Sequence, residues 1–266
     1  MFKTRLISGV ILVAAALLLI LSGGYVLYFT TLALSLIAAG ELYRATGVRE
    51  KNQYFGLMDG AGYIGIIIYY LAILLLPAEY HMMSIIIGFL LIMFVYVFSY
   101  PKFQAFHTMS AFFGIVYCGV MMSCIYRTRI LQESGQYLVW LIFISAWGCD
   151  TCAYCVGSLI GKHKMAPVLS PKKSVEGAVG GVVGAAILGL LYALFTKGPV
   201  GSYIIISAVA ALISMVGDLA ASAIKRNMEI KDYGKLIPGH GGILDRFDSI
   251  IFTAPVIYYL SILLIF

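Results

Sequence analysis

Residues 201–227 read GSYIIISAVAALISMVGDLAASAIKRN, and they combine a long apolar run with a basic end. The run 201–223 is almost entirely apolar, and the basic pair Lys225-Arg226 follows it. About 20 apolar residues in a helix cross the roughly 30 Å hydrocarbon core of a bilayer. The run therefore predicts a transmembrane helix, and Asp218 lies in it about two turns before the basic pair.

Similar apolar runs recur along the whole chain. The 266 residues are 62% hydrophobic and 11% charged, with a mean hydropathy of +0.98, which leaves too little polar surface to coat a water-soluble globule. The runs lack the strict alternation of barrel strands, so they predict helices. We predict an all-α, polytopic transmembrane protein of about nine spans, at 6–23, 25–42, 57–77, 82–99, 108–126, 137–158, 176–196, 201–223 and 247–265.

The distribution of basic residues predicts which side of the membrane each loop faces. With nine spans and the amino terminus inside, one side holds 15 of the 18 Lys and Arg residues. Cytoplasmic loops carry such an excess. We therefore expect the amino terminus and the two most charged loops, 159–175 and 224–246, on the cytoplasmic side. The net charge of +6 then follows from topology, and no nucleic-acid partner is predicted.

Asp150 lies well inside the sixth predicted span, in the stretch 146–177, AWGCDTCAYCVGSLIGKHKMAPVLSPKKSVEG. A lone charge at such a depth costs about 2.5–3.5 kcal/mol or more. A partner within the membrane would have to be Arg or Lys, and the spans contain almost none. We therefore expect a functional carboxylate that lies near other carboxylates and shares a cation with them.

The end of the same stretch suits a phosphate. Ser170, Lys172, Lys173 and Ser174 stand there, followed by Glu176. Pro171 biases Ser170 towards an extended conformation, so the next helix is expected to begin beyond it. Hydroxyls, free N–H groups and a Lys pair at a helix amino terminus suit a polyphosphate. The alternative is that Lys172 and Lys173 are ordinary cytoplasmic-side residues beside anionic lipid.

Glycines recur at a four-residue spacing in the seventh span, as Gly177 with Gly181 and Gly180 with Gly184. This spacing lets the backbones of two helices approach closely. Helix packing is a sufficient explanation for these glycines, and we assign them no chemistry.

The segment from Lys225 to Asp248 holds nine of the thirty charged residues, together with His240. Asp245 and Asp248 are three residues apart, so they project from one face of a helix, and a helix amino terminus favours their charge. They join two other acids near the predicted cytoplasmic boundary. An oxygen-rich cluster without paired histidines suits Mg²⁺. The predicted metal ligands are Asp150, Asp218, Asp245 and Asp248.

Pro238-Gly239-His240-Gly241-Gly242 lies within this charged segment. Its glycines let the backbone approach a ligand without interference from a Cβ atom. The segment is not a Walker loop, because GxxxxGK[ST] is absent. His240 is compatible with a phosphate donor, a proton carrier or an ordinary loop residue.

Residues 222–248, SAIKRNMEIKDYGKLIPGHGGILDRFD, resemble the signature of the phosphatidate cytidylyltransferase family, also called CDP-diacylglycerol synthases. The stretch from Asp150 to Gly177 resembles the other block that this family shares, and the two stretches cover about 60 residues. The signature positions that match are Ser222, Lys225, Arg226, Lys231, Asp232, Gly234, His240, Gly241, Gly242, Asp245, Arg246 and Asp248.

The resemblance implies transfer of CMP from CTP to phosphatidate, which gives CDP-diacylglycerol and pyrophosphate. It also implies Mg²⁺, with K⁺ sharing the site, a homodimer, and a bacterial inner membrane location with the active site on the cytoplasmic side. We expect one integral-membrane catalytic domain over 1–266, with 1–136 as a lipid-facing scaffold and 137–266 carrying the catalytic helices and loops. The catalytic residues are assigned as Asp218, Asp245, Asp248, Lys225, Arg226, Arg246 and His240. The substrate-binding residues are assigned as Ser170, Lys172, Lys173, Ser174, Ser222, Gly241 and Gly242.

Two other functions are compatible with the pattern. A CTP-dependent polyprenol or dolichol kinase shares the membrane setting but transfers the γ-phosphate to an alcohol. An ion transporter also carries buried acids and basic loops. A transporter's carboxylates should line a path through the midplane, whereas the four acids here are expected near one surface.

Overall fold

A computed structural model describes residues 2–49, 55–239 and 241–266. Helices dominate these ranges. The α-helices are α1 (Phe2–Ser22), α2 (Gly24–Ala45), α3 (Leu57–Leu75), α4 (His81–Phe98), α5 (Ala105–Gly114), α6 (Met121–Arg129), α7 (Gly135–Ile160), α8 (Val175–Thr196), α9 (Val200–Asn227) and α10 (Leu244–Leu264). A 3₁₀ turn, Ala78–Tyr80, precedes α4, and π-helical residues Ile115–Val120 connect α5 to α6 without a break.

Eight helical segments of the described residues are long and apolar enough to cross a membrane. They correspond to the second through ninth predicted spans, and α5 with α6 makes one of them, Ala105–Arg129. The first predicted span lies in α1, whose apolar part Val13–Ser22 is shorter than a span. The all-α fold class and the polytopic membrane architecture are confirmed. The first span and the orientation of the termini stay predictions.

A short antiparallel hairpin joins α7 to α8. Its strands are β1 (Lys164–Ala166) and β2 (Ser170–Ser174). The sequence predicts only a loop here, because strands this short show no readable period and Pro171 interrupts the second one. The extended conformation predicted for Ser170 is confirmed, and α8 begins beyond Pro171 as expected.

The chain divides into two compact units that interleave in sequence. The first comprises the described parts of Met1–Ala16, Tyr25–Ser123 and Met228–Arg246. The second comprises Leu17–Gly24, Cys124–Asn227 and Phe247–Phe266. The predicted division into a scaffold, 1–136, and a catalytic part, 137–266, is a division by function. It stays a prediction.

Buried tyrosines hold the first unit together. The hydroxyl of Tyr28 donates to the carbonyl of Tyr70 at 2.8 Å, and that of Tyr43 donates to the carbonyl of Ala111 at 2.9 Å. A Cβ at Gly62 would lie 2.7 Å from Cζ of the Tyr43 ring, so the glycine leaves room for the ring. Each ring thus adds apolar area to the core while its hydroxyl keeps a hydrogen-bond partner.

Close approach of α7 and α8 builds the second unit. A Cβ at Gly181 would lie 2.9 Å from the sulfur and 3.0 Å from the carbonyl oxygen of Cys149. At Gly177, a Cβ would lie 3.2 Å from the Cα of Gly157. The predicted packing role of these two α8 glycines is confirmed. The contact brings the amino end of α8 against the last turns of α7.

We expect Gly181→Ala to destabilise the second unit, because the new methyl group would have to displace the α7 backbone. Overpacking of this kind lowers the free energy of unfolding by about 1–3 kcal/mol, and thermal unfolding of the purified protein in detergent measures it. The matched control is Gly201→Ala, where nothing lies within 4 Å of the added Cβ. Its Tm should stay unchanged or rise slightly. Equal destabilisation by both substitutions would contradict the packing role.

Candidate functional site

A cavity of about 290 Å³ lies in the second unit beside the amino end of α8. Its wall combines one acidic residue, two lysines and three hydroxyl-bearing residues with apolar atoms. A concave, mostly apolar site with a few convergent polar groups is the usual form of a small-molecule site. The wall includes Asp150 of α7, Lys172, Lys173 and Ser174 of β2, Gly177 of α8 and Met215 of α9.

The hairpin aims both lysines at this cavity. Strand β2 pairs with β1 at Ser174 with Lys164 and at Ser170 with Ala166, with an irregularity between the two pairs. Between these pairs β2 advances four residues while β1 advances two, so β2 bulges around Lys172. Consecutive residues of a regular strand point to opposite faces, and a bulge re-aims them. Two neighbouring lysines can therefore line one wall.

Ser174 defines the start of α8. Its Oγ accepts a hydrogen bond from the backbone N–H of Gly177 at 3.1 Å, as an N-cap residue does. The first N–H groups of a helix lack intrahelical acceptors and carry partial positive charge. Because Ser174 and Gly177 both line the cavity, this end of α8 adds to the positive charge of the two lysines. The cavity is therefore suited to an anion.

Lys173 forms an ion pair with Asp218 of α9. The two side chains are 25% and 30% exposed, so neither is fully removed from solvent. The predicted phosphate-binding residue and a predicted metal ligand thus meet at one point. Lys173 occupies the carboxylate of Asp218 in this arrangement, so a metal ion could bind that carboxylate only after Lys173 turns to another anion.

Asp150 lies in the wall of the same cavity. The spans contain almost no basic residue that could accompany it. The basic residues come from the hairpin instead, because Lys172 and Lys173 of β2 line the same cavity as Asp150. The carboxylate of Asp150 therefore shares a cavity with two lysines that lie more than 20 positions away in the sequence.

Asp245 organises a loop in the first unit. Its carboxylate is 5% exposed, and Oδ2 accepts hydrogen bonds from the backbone N–H groups of Tyr233 at 2.8 Å and Gly242 at 3.0 Å. Gly241 has a φ of +89°, and a Cβ there would lie 2.9 Å from Oδ2 of Asp245. The group that approaches the backbone closely at Gly241 is therefore the Asp245 carboxylate of the protein itself.

Glu41 of α2 is a candidate that sequence reasoning missed. It is 1% exposed, and its two oxygens accept hydrogen bonds from the backbone N–H groups of Ile243 at 3.1 Å and Leu244 at 2.8 Å. A signal was present in the sequence, because an acidic residue within the predicted span 25–42 meets the criterion that selected Asp150.

The remaining predicted residues occupy the ends of elements. Ser170 pairs with Ala166 at one end of the hairpin, and Asp248 accepts a hydrogen bond from the backbone N–H of Ser249 at 2.8 Å. His240 lies outside the described residues. Near the end of α9 lie Ser222, Lys225 and Arg226, and in the first turns of α10 lie Arg246 and Asp248.

The donor chemistry fits Mg²⁺ that is shared with a phosphate ligand. Within the part of the chain that the structure describes, no three His, Cys, Asp or Glu side chains form a group that could hold a metal. Mg²⁺ usually needs only one or two carboxylates, together with water and substrate phosphates. A Cβ at Gly217 would lie 2.9 Å from the carbonyl oxygen of Asp248, so α9 and α10 pack together there. Asp218 and Asp248 therefore come from adjoining turns of two packed helices.

The fold defines an integral-membrane protein, and the cavity at the amino end of α8 offers the charge of two lysines to an anion. A family model described as "Cytidylyltransferase family" matches residues 3–264. The chain is 32% identical over 272 residues to a phosphatidate cytidylyltransferase of Staphylococcus saprophyticus, with 99% of each chain covered. It is 31% identical over 275 residues to that of Bacillus subtilis, with 97% of each covered. The chain belongs to the cytidylyltransferase family, which confirms the resemblance drawn from its signature.

Proposed function

We propose that this protein is a nucleotidyltransferase that moves CMP from CTP to phosphatidate and forms CDP-diacylglycerol and pyrophosphate. Family membership over nearly the whole chain, and the activity named for its relatives, support this reaction. The structural observation that carries the proposal is the cavity lined by Lys172, Lys173 and the amino end of α8, together with the ion pair between Lys173 and Asp218. Both substrates are phosphate anions, and this arrangement offers them positive charge.

The chemistry requires charge neutralisation more than proton transfer. A phosphate oxygen of phosphatidate attacks the α-phosphorus of CTP, and the bond from that phosphorus to the bridging oxygen breaks, so pyrophosphate leaves with the electron pair. The second pKa of a phosphomonoester is about 6, so phosphatidate is largely a dianion at neutral pH and needs no general base. The obstacle is repulsion between two anions, which positioned cations and helix ends reduce.

The ion pair between Lys173 and Asp218 suggests how the cavity accepts its ligand. When a phosphate binds, we expect the Lys173 ammonium to exchange the carboxylate for phosphate oxygens, which have the same charge sign. Asp218 then becomes available to a divalent cation. Lys172 would bind phosphate from the same strand, while Ser174 and Gly177 present the amino end of α8.

Mg²⁺, when bound, would supply positive charge beside the phosphates, with Asp218 and Asp248 as its ligands and Asp150 as a further carboxylate. Asp245 belongs to the first unit, and its ligand role stays a prediction from the sequence pattern. The family resemblance supports phosphate neutralisation by three basic residues and contacts from the glycine segment and two serines. These residues are Lys225, Arg226, Arg246, His240, Gly241, Gly242, Ser170 and Ser222.

The resemblance also supports K⁺ in the site and a homodimer as proposals. We expect phosphatidate to reach the site laterally between helices, because its acyl chains leave the bilayer only at a large hydrophobic cost. The mass of the protein in detergent, measured by light scattering, tests the dimer, and a monomer at enzymatically active concentrations would contradict it. Turnover that does not depend on K⁺ would contradict the second ion.

Labelled CTP separates the proposed reaction from a CTP-dependent lipid kinase. We expect label from [α-³²P]CTP to enter lipid when purified protein is supplied with phosphatidate and Mg²⁺. Label from [γ-³²P]CTP should appear in pyrophosphate, because the γ-phosphate leaves with the β-phosphate. Transfer of the γ label to a polyprenol or another lipid alcohol would instead identify a kinase.

The metal assignment predicts that Asp218→Asn and Asp248→Asn lower kcat steeply while the protein stays folded. Loss of a charge-stabilising group in the transition state lowers kcat by about 10²–10³-fold. The rate of CDP-lipid formation per folded protein measures this effect. Glu229→Gln is the matched control, because Glu229 is an exposed acid in the same charged segment. Wild-type turnover in both aspartate variants would remove these residues from the site.

The location of the site on the cytoplasmic side of a bacterial inner membrane is part of the proposal, and reporter fusions test it. We expect alkaline phosphatase fused after Lys197 to be active in bacterial cells, because that loop should face outward. The same reporter fused after Asn227 should be inactive, since the charged segment beyond it should stay inside. The opposite pattern of activity would invert the proposed orientation.

A further inference from the structure

Glu41 is a buried acid that contacts the signature segment from a distant part of the chain. Its carboxylate lies 203 residues before Leu244, whose N–H donates to Oε2 at 2.8 Å. The N–H of Ile243 donates to the other oxygen at 3.1 Å. These donors lie at the start of α10, where N–H groups lack intrahelical acceptors. Glu41 therefore caps α10 from another helix.

Two glycines of the signature segment are shaped to this carboxylate. A Cβ at Gly234 would lie 2.7 Å from Cδ of Glu41, and a Cβ at Gly242 would lie 2.5 Å from the same atom. The Cβ at Gly234 would also lie 3.0 Å from the Cα of Gly242. The segment thus contacts Glu41 at two positions, Gly234 and Gly242. A larger side chain at either position would displace the carboxylate.

A second carboxylate holds the same segment. Asp245 accepts hydrogen bonds from the N–H groups of Tyr233 and Gly242. Together with Glu41 it accepts four backbone N–H groups of the segment between Tyr233 and Leu244. Asp245 is also a proposed ligand of the transfer site. An acid outside the signature and an acid within it therefore share the positioning of one loop.

We propose that Glu41 is a positioning residue for nucleotidyl transfer: it fixes the start of α10 and so sets the direction in which Asp245 is presented. Asp248 follows one turn later on the same helix. Glu41 acts through the backbone and not on the reacting atoms. This inference rests on the proposed function, because an effect on turnover requires that the transfer reaction takes place.

Glu41→Gln tests the inference with little change in side-chain volume. The amide keeps one acceptor oxygen and turns an NH₂ group towards the other backbone N–H, so one of the two hydrogen bonds is lost. We expect kcat per folded protein to fall by about 10- to 100-fold, the range for groups that orient functional residues, while KM for CTP stays near the wild-type value. Amide hydrogen exchange at Ile243 and Leu244 should become faster.

Asp59→Asn is the matched control in the same unit. Asp59 is also fully buried, and its carboxylate pairs with Arg49 at 2.7 Å. Its loss should lower stability without lowering the kcat of the protein that remains folded. Gly234→Ala is the second variant, because it displaces the Glu41 carboxylate without removing the charge. It should reproduce the kcat loss of Glu41→Gln even if that variant folds poorly.

Three results would overturn the inference: wild-type kcat in folded Glu41→Gln, an equal kcat loss in Asp59→Asn, or unchanged exchange at Ile243 and Leu244. The exchange measurement does not need turnover. If the wild-type protein makes no CDP-diacylglycerol, the proposed function fails, and the exchange data still decide whether Glu41 holds the loop.

Discussion

A carboxylate that leaves water inside a membrane protein must receive its hydrogen-bond donors from the protein, because hydrocarbon offers none. Glu41 and Asp245 meet this requirement with backbone N–H groups. Asp218 is 30% exposed, and its partner is the ammonium group of Lys173. The two kinds of partner differ in how easily they can be exchanged. Backbone donors hold a loop in one conformation, while a lysine can exchange one anion for another. A loop that must be rigid and a site that must accept a ligand therefore use different partners.

Glycine permits the close contacts within each of the two units. In the second unit, α8 approaches α7 so closely at Gly177 and Gly181 that a methyl group would meet the facing backbone. In the first unit, Gly234 and Gly242 leave the volume that the Glu41 carboxylate fills. Small residues let backbones approach within a membrane, where apolar burial drives helix association only weakly. The contact with Glu41 thus explains why glycine is needed at these two signature positions, whether or not they also contact a substrate.

Much of the fold was predictable because hydropathy is a local property. Eight predicted spans correspond to helices, and the helix start beyond Pro171 was read from the restriction that proline places on its neighbours. The positive charge of the candidate site was also predictable, since Lys172, Lys173 and Ser174 stand together in sequence. The hairpin that aims these residues was not, because strands of three and five residues show no readable period.

The membrane architecture, the family and the residue types of the proposed site could be predicted from the sequence, because each is encoded in stretches of about 20 to 30 residues. Which acid pairs with which donor depends on the tertiary structure. Lys173 meets Asp218 across 45 positions, and Glu41 meets Leu244 across 203. Such pairs depend on how helices pack, and no local pattern of apolar and charged residues specifies that packing.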